Sequence, residues 1–406
     1  MGKKPAIRFE GYTKDWEQHK LSEISISFEY GLNAAAKEFD GENKYIRITD
    51  IDDDTRIFLK SDLTSPDTSL EGAENYQLKD GDIVFARTGA SVGKTYIYKE
   101  SDGLVYYAGF LIRARIKPEY SAEFIFQNTL TDTYKKYIYI TSQRSGQPGV
   151  NAQEYGDYEI FVPKFSEQKK IGDYFRNLDN LITLHKSKHE KLVATKKSML
   201  DKLFPQGDSK VPAIRFEGFV EDWEKKSLGA IVIPYSDPLE VPHDGYERLG
   251  IRSHGKGVFY EYVEAGKEIT TAQLHRVSAH NFIVNITFAW EHAVAVTGDN
   301  DAGKLVSHRF PQFSMADGIH DQFLKYLILD ARFRHHLLLS SPGGAGRNRV
   351  LKIPEMLEYE MMIPNIEEQK QIAGYLNSLD ELIDLYQIRI DKLKNIKAAC
   401  LQGMFV

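Results

Sequence analysis

Residues 5–11 read Pro5-Ala6-Ile7-Arg8-Phe9-Glu10-Gly11, and residues 212–218 read Pro212-Ala213-Ile214-Arg215-Phe216-Glu217-Gly218, the same seven letters. Trp16 and Trp223 follow at the same offset of 207. Farther on, residues 163–169 (PKFSEQK) match residues 364–370 (PNIEEQK) at an offset of 201. Residues 171–182 (IGDYFRNLDNLI) match residues 372–383 (IAGYLNSLDELI) at the same offset. An ordered set of matches like this identifies one unit of about 200 residues written twice. Between the anchors, residues 20–160 and 227–360 share a rhythm and little sequence. Tyr45-Ile46-Arg47 falls opposite Tyr246-Glu247-Arg248, and Ile83-Val84 opposite Ile283-Val284. Gly146-Gln147-Pro148-Gly149 falls opposite Gly343-Gly344-Ala345-Gly346. Drift alone would have eroded the anchors as well, so the pattern fits one scaffold carrying two different reading heads.

The second anchor opens a helix in each copy. Ser166 and Asn365 are N-cap residues by type, and Glu167, Glu367 and Glu368 fall in the first turn. Asn365 with Glu368 has capping-box spacing. Polar and apolar seam positions then recur at spacings of four and three. They are Ile171, Phe175, Leu178, Ile182, His185, His189, Leu192, Lys196, Met199 and Leu203 in one copy. In the other they are Ile372, Leu376, Leu379, Ile383, Tyr386, Ile390, Leu393, Lys397 and Cys400. About five heptads of this kind predict a coiled coil, and Pro205 stops the first helix. Each rod is on the order of 55 Å long. The helices match position by position and a domain lies between them, which favours antiparallel pairing within one chain. Separate dimerisation arms remain the other arrangement. His185 and His189 are read as polar seam positions that fix register.

The predicted fold class is therefore α+β. Two tandem mixed α/β domains are separated by two long antiparallel helices that form an intramolecular coiled coil, a pseudo-twofold internal repeat. The expected divisions are residues 1–165 (first domain), 166–204 (central spacer helix), 205–365 (second domain) and 366–406 (C-terminal spacer helix). In the first domain, strands are expected over 45–51, 82–87, 95–99 and 104–117, with a helix over 121–140. The second repeats them near 246–252, 281–288, 292–297 and 305–313, with a helix over 320–340 and a loop over 341–349.

Composition narrows the class. The chain has 406 residues, 42% hydrophobic and 27% charged, with one cysteine and a formal net charge of -6. No apolar run reaches the roughly 18–20 residues of a membrane span. The N-terminus has no signal-peptide pattern, and the single cysteine fits a reducing cytoplasm. An acidic balance does not favour nucleic acid, although phosphates respond to local potential.

Gly89-Ala90-Ser91-Val92-Gly93-Lys94-Thr95 resembles a phosphate-binding loop, but three residues separate its glycines where four are required. It also leads into Tyr96-Ile97-Tyr98, which reads as strand, so no helix dipole would face a phosphate. Amino-methylation motifs, an adenosylmethionine loop, a nucleophile elbow and zinc signatures are all missing from the sequence. Asp52-Asp53-Asp54 reads as a solvated turn. The expectation is a chain without catalytic residues, metal or cofactor of its own.

Base edges are read by Arg, Lys, Asn, Gln, Ser and Thr on loops and helix ends. The clusters that fit are Arg87, Thr88, Ser91 and Lys94, then Gln143, Arg144, Ser145 and Gln147. The second copy offers Arg252, Ser253, His254 and Lys256, then His308 and Arg309, then Arg347, Asn348 and Arg349. Each could equally be an ordinary solvated loop. The corresponding alternative for the whole chain is a non-enzymatic protein-interaction scaffold with two divergent heads.

As a set, these features resemble the specificity subunit of a type I restriction-modification system. They are the repeated Ile-Arg-Phe-Glu-Gly…Trp segment, the repeated Pro…Glu-Gln-Lys-x-Ile segment, the Leu-Asp-x-Leu-Ile helix and the two dissimilar domains. The resemblance implies two target-recognition domains, each reading one half of a bipartite, asymmetric site in double-stranded DNA. It implies two methylation subunits as partners, which act on adenine N6 with S-adenosylmethionine. Restriction subunits using ATP and Mg would join them. It places no catalytic residue in this chain.

Overall fold

The computed structural model describes residues 4–143, 146–207, 209–268, 273–343 and 349–406. By contacts the chain divides into two units. Unit 1 comprises residues 1–189 and 385–406, and unit 2 comprises residues 190–384. Both long helices are thus shared out, and each unit takes part of each.

Unit 1 contains β1 (Glu17–Lys20), β2 (Ser25–Tyr30), β3 (Ala35–Glu38), β4 (Lys44–Ile46), β5 (Thr64–Asp67), β6 (Asp82–Ala86), β7 (Thr95–Ile97), β8 (Val105–Tyr107) and β9 (Leu111–Ile116). Helices α1 (Ala122–Asn128), α2 (Asp132–Thr141) and α3 (Ala152–Gly156), strand β10 (Glu159–Val162) and the long helix α4 (Phe165–Leu203) follow. Unit 2 receives the end of α4 and adds β11 (Glu224–Ser227), α5 (Leu228–Ile231), β12 (Val232–Tyr235), β13 (Pro238–Leu239), β14 (Tyr246–Ile251), β15 (Val258–Val263), β16 (Leu274–Arg276), β17 (Phe282–Val284), β18 (Val294–Val296), β19 (Leu305–Ser307) and β20 (Gln312–Met315). It closes with α6 (Asp321–Leu327), α7 (Ala331–Leu339), α8 (Ile353–Leu357), β21 (Glu360–Ile363) and the long helix α9 (Ile366–Met404). Among the described residues no helix is long and apolar enough to cross a membrane.

The two units repeat one topology. A four-stranded antiparallel sheet runs β2-β9-β6-β7 in unit 1 and β12-β20-β17-β18 in unit 2. Beside it lies a parallel pair, β4 with β8 in one and β14 with β19 in the other. The central strand β6 is buried throughout because side chains alternate across a sheet covered on both faces. Ile83 and Phe85 enter the larger core with Ile112 and Phe124, while Val84 and Ala86 enter a smaller one with Ile46 and Tyr107. β17 does the same, sending Phe282 and Val284 one way and Ile283 the other.

The anchors of the repeat close each unit. Arg8 makes a bidentate pair with Glu167 at 2.6 and 2.8 Å, and Arg215 pairs with Glu368 at 2.7 and 2.8 Å. Trp16 and Trp223 are buried in the two larger cores. The Ile7 N–H donates to the Gly403 carbonyl at 2.7 Å, and the Ile214 N–H to the Lys202 carbonyl at 3.0 Å. Each conserved segment therefore straps a helix end to its own domain. In unit 1 that helix end is the last stretch of α9, where Met404 and Phe405 complete the core. In unit 2 it is the last stretch of α4, where Leu203 and Phe204 take the same places.

Within each unit the helical segments run antiparallel along the heptad seam. In unit 1, Tyr174 meets Cys400 at 3.5 Å, Asp179 meets Lys397 at 2.6 Å, and the His185 ring lies 5.3 Å from the Tyr386 ring. In unit 2, Lys196 pairs with Asp380, the counterpart of the Asp179–Lys397 pair. The two lysines on the seam are thus explained: each meets the aspartate of the other copy's Leu-Asp-x-Leu-Ile motif.

Four expectations are corrected. Helix α4 begins at Phe165, and Lys164 stands where Asn365 caps α9. Ser166 lies inside the first turn, while the Lys164 carbonyl takes the Glu167 and Gln168 N–H groups at 2.9 and 3.0 Å. Asn365 does accept from the Glu368 N–H at 3.0 Å, but the Glu368 carboxylate turns to Arg215, so the capping box is half formed. The single helices expected over 121–140 and 320–340 are each two. Thr131 starts a new helix by accepting from the Tyr134 N–H, and Asp330 does so by accepting from the Arg332 N–H. The strands expected over 104–117 and 305–313 are each broken by a turn, at residues 108–110 and 308–311.

Candidate nucleic-acid interface

Those broken strands decide where the candidate residues stand. In unit 1 the loop 87–94 joins β6 to β7 as a hairpin, with the Ala86 N–H donating to the Lys94 carbonyl at 2.8 Å. It opens onto a strand, so the likeness to a phosphate loop ends there. Thr88 forms an isolated antiparallel bridge with Gly149, and the Val150 N–H donates to the Arg87 carbonyl at 2.9 Å. The Gly89 N–H donates to the Pro148 carbonyl at 3.0 Å. The structure therefore brings Arg87, Thr88 and Ser91 together with the 143–149 loop that carries Gln143 and Gln147. Arg144 and Ser145 lie outside the described residues.

A third segment joins them. The Arg87 N–H donates to the Phe110 carbonyl at 3.0 Å, tying the β6–β7 loop to the β8–β9 turn. The Arg87 guanidinium lies 5.0 Å from the Tyr30 ring centre, a cation–π contact. Gly31 permits this approach, since a Cβ there would stand 2.2 Å from the Ala108 carbonyl oxygen. Tyr30 and Phe110 are exposed, at 44% and 64%.

Lys94 is a correction. It is buried, and its ammonium donates to the Ile51 carbonyl at 2.9 Å and pairs with Asp53 at 2.5 Å. It anchors the turn at 51–54 and presents no charge to a phosphate. The acidic run it holds is itself braced. Asp52 accepts from the Thr55 N–H and hydroxyl at 2.7 and 2.6 Å, and Asp54 meets Lys394 at 2.8 Å. Desolvation raises the Asp52 carboxyl, but its hydrogen bonds and the nearby Lys186 outweigh it, and the lysine contacts act likewise on Asp54, so both lie below their ordinary range.

Unit 2 builds the same junction. The Ile286 N–H donates to the Arg309 carbonyl at 3.0 Å, and the Leu351 N–H to the Ile286 carbonyl at 2.8 Å. Position 286 therefore corresponds to 87, and position 309 to 110. His308 and Arg309 are exposed on the turn. With Phe259, Phe288, Phe310, Asn285 and Thr287 they line a cavity of about 450 Å³. Arg349 lies 5.6 Å over the Trp290 ring. Arg347 and Asn348 lie outside the described residues. The 252–256 segment sits on the 289–292 turn. The Ser253 hydroxyl donates to Glu291 at 2.6 Å, and the His254 N–H to the Glu291 carbonyl at 2.8 Å. Arg252 donates to the Val258 carbonyl and lies 5.4 Å from the Phe259 ring. Of this cluster, His254 and Lys256 keep exposed side chains with no hydrogen bond among the described residues.

One further histidine braces the head of unit 2. His280 bridges Asp321 through Nδ1 (2.8 Å) and Asp299 through Nε2 (3.1 Å). The Asp321 bond, opposed in part by desolvation, lifts the imidazole above its ordinary value. A raised folded-state value means that the contribution to stability is full below about pH 6.5 and is lost as pH rises through the raised value. An NMR titration should find His280 above the free-histidine value and Asp321→Asn should bring it down. An unshifted titration would remove the brace.

Sequence reasoning found the polar members of these junctions and missed Tyr30, Phe110, Phe288 and Trp290. Phe110 and Phe288 fall inside the strands expected over 104–117 and 281–288, and Tyr30 and Trp290 carry no loop signal of their own. A signal was present at Gly109, which breaks the apolar run and places Phe110 on a turn.

Comparison with known proteins finds that residues 13–194 and 254–395 match the model of the type I restriction modification DNA specificity domain. The chain is 23% identical over 407 aligned positions to the type I restriction enzyme MjaVIII specificity subunit of Methanocaldococcus jannaschii, covering 95% of this chain and 90% of that one. It is 24% identical to the protein named "Putative type I restriction enzyme MjaX specificity subunit" of the same organism, covering 95% and 91%. Among solved structures it is similar in fold to the type I restriction-modification S subunit from M. genitalium, with a TM-score of 0.66 at 11% identity over 99% of both chains.

Proposed function

The chain belongs to the type I restriction modification DNA specificity family, and from that premise we propose that its two units read the two unlike halves of one split, asymmetric DNA site. One observation carries this reading. The same three-segment junction is built twice with different side chains at equivalent positions, Arg87 and Phe110 in unit 1 against Ile286 and Arg309 in unit 2. A shared backbone frame with unlike tips is what two different half-sites require. The residues proposed to face DNA are Arg87, Thr88, Ser91, Gln143 and Gln147 in unit 1. In unit 2 they are His254, Lys256, His308, Arg309 and Arg349, with Arg144, Ser145, Arg347 and Asn348 on the adjoining loops.

The chain itself supplies recognition, and the chemistry belongs to partners. Methylation subunits would transfer a methyl group from S-adenosylmethionine to adenine N6, and restriction subunits would use ATP and Mg. The stoichiometry of two methylation subunits is supported by the repeat. Leu181 and Leu184 are 44% and 52% exposed, and their counterparts Leu382 and Leu385 are 41% and 40% exposed. The same exposed leucines recur once in each copy of the repeat, which suits two copies of one partner.

Expression with its methylation partner, followed by mapping of methylated adenine, should give a split motif. Exchanging residues 20–160 for those of another family member should change one half of the motif only. Lengthening both helices by equal whole turns should change the gap and leave the halves alone. A map without sequence preference would end the reading. The net charge of -6 favours a protein-binding scaffold as the second reading. Affinity of the complex for DNA should fall by orders of magnitude between low and moderate salt if several phosphates are bound, whereas a scaffold would show no such slope.

A further inference from the structure

We propose that Phe110 is a specificity-determining residue, an aromatic wedge that presses on a base step while Arg87 beside it reads the adjoining base pair. The proposal rests on the DNA reading above and deepens it. Phe110 is 64% exposed on a turn held from two sides. Its carbonyl accepts the Arg87 N–H at 3.0 Å, and the preceding Ala108 is seated against Gly31 so closely that no side chain fits at position 31. A lone exposed apolar residue is ordinary on a protein surface. A rigid turn that carries a phenyl ring outward, next to a guanidinium, is a preorganised contact.

The guanidinium is positioned for the same task. Tyr30 holds it from one face at 5.0 Å, and its own hydrogen bond is a long one, 3.5 Å from Nη1 to the Gly109 carbonyl. Among the described residues this is its one hydrogen bond, which leaves most of its five donors for a base edge that can accept two at once. Apolar side chains inserted between base steps unstack them and read their deformability. Cation and wedge together would distinguish sequences that neither distinguishes alone.

Unit 2 supplies an independent observation. At the position equivalent to Phe110 it carries Arg309, and at the position equivalent to Arg87 it carries Ile286. The cation thus stands on the other of the same two backbone segments, while Ile286 is half-buried against the core of unit 2. Both junctions present a large exposed side chain at the turn position, Phe110 in one and Arg309 in the other, which singles out this position among the variable residues around it.

The test uses the full chain in complex with its methylation partners. Wild type, Phe110→Ala, Phe110→Trp and Arg309→Ala are compared by adenine-methylation maps and by kcat/KM on duplexes with single base-pair changes. Phe110→Ala should lose about tenfold or more in discrimination within one half of the motif and keep the other half. Phe110→Trp should retain it, and Arg309→Ala should relax the opposite half. A 2-aminopurine placed in turn at each step of the affected half should brighten on binding of wild type at one step and stay dark with Phe110→Ala. If Phe110→Ala keeps wild-type preference in both halves, or weakens both equally, the wedge is overturned while DNA reading stands. If wild type itself yields no split motif, both readings fall together.

Discussion

Phe405→Ala is expected to remove about 3–5 kcal/mol from unit 1 and almost nothing from unit 2. The Phe405 ring lies 5.1 Å from Phe124, 5.7 Å from Phe175 and 6.5 Å from Trp16, ring centre to ring centre. It is 7% exposed in a close-packed core, so its removal leaves a cavity. Phe204 is its counterpart, 5.5 Å from Phe323 and 6.2 Å from Trp223, so Phe204→Ala should weaken unit 2 instead. Hydrogen exchange read by mass spectrometry separates the two outcomes, because peptides of β6 and β17 report on different cores. In Phe405→Ala, β6 should lose protection and β17 should keep it. Equal loss in both peptides, or a cost below about 1 kcal/mol in urea unfolding, would mean that the helix end is not part of the core of unit 1.

This effect follows from the fold and not from the sequence because of the kind of signal each feature leaves in sequence. Heptads leave a strong one, and Ile171, Phe175, Leu178, Ile372, Leu376 and Leu379 are buried as their spacing requires. The repeat announces that two units exist. It does not say which helix end serves which unit, since Leu203-Phe204 and Met404-Phe405 look alike and either could close either core. Pairing across hundreds of residues has no local signature. The candidate site divides in the same way. Polar residues on glycine loops are visible in a sequence, and Arg87, Thr88, Arg309 and Arg349 stand on the junctions. Lys94 looks the same in sequence, yet the carbonyl of Ile51 and the carboxylate of Asp53 consume its charge. Phe110 was hidden for the opposite reason, because an aromatic residue inside a β-rich run reads as a strand until a turn is seen to expose it.

Arg215→Ala should be about as costly, for an electrostatic reason. Glu368 is fully buried in the first turn of α9, and Arg215 is the group that neutralises it, through two bonds of 2.7 and 2.8 Å. Removing a buried partner leaves a carboxylate with neither water nor counter-charge, a loss of about 3–5 kcal/mol. The positive end of the helix dipole returns only part of this. Arg215→Lys should recover less than half, because a single ammonium cannot reproduce a two-bond fork. Removing both charges at once, as Arg215→Met with Glu368→Leu, should be far milder than either single change, since two desolvated ions are replaced by apolar volume. Urea unfolding of the four proteins completes a double-mutant cycle. The same series at Arg8 and Glu167 should reproduce it in unit 1, where the fork measures 2.6 and 2.8 Å. A single variant within about 1 kcal/mol of wild type would sink the argument. It would show that the repeated Ile-Arg-Phe-Glu-Gly segment is retained for a purpose other than strapping each helix to its domain.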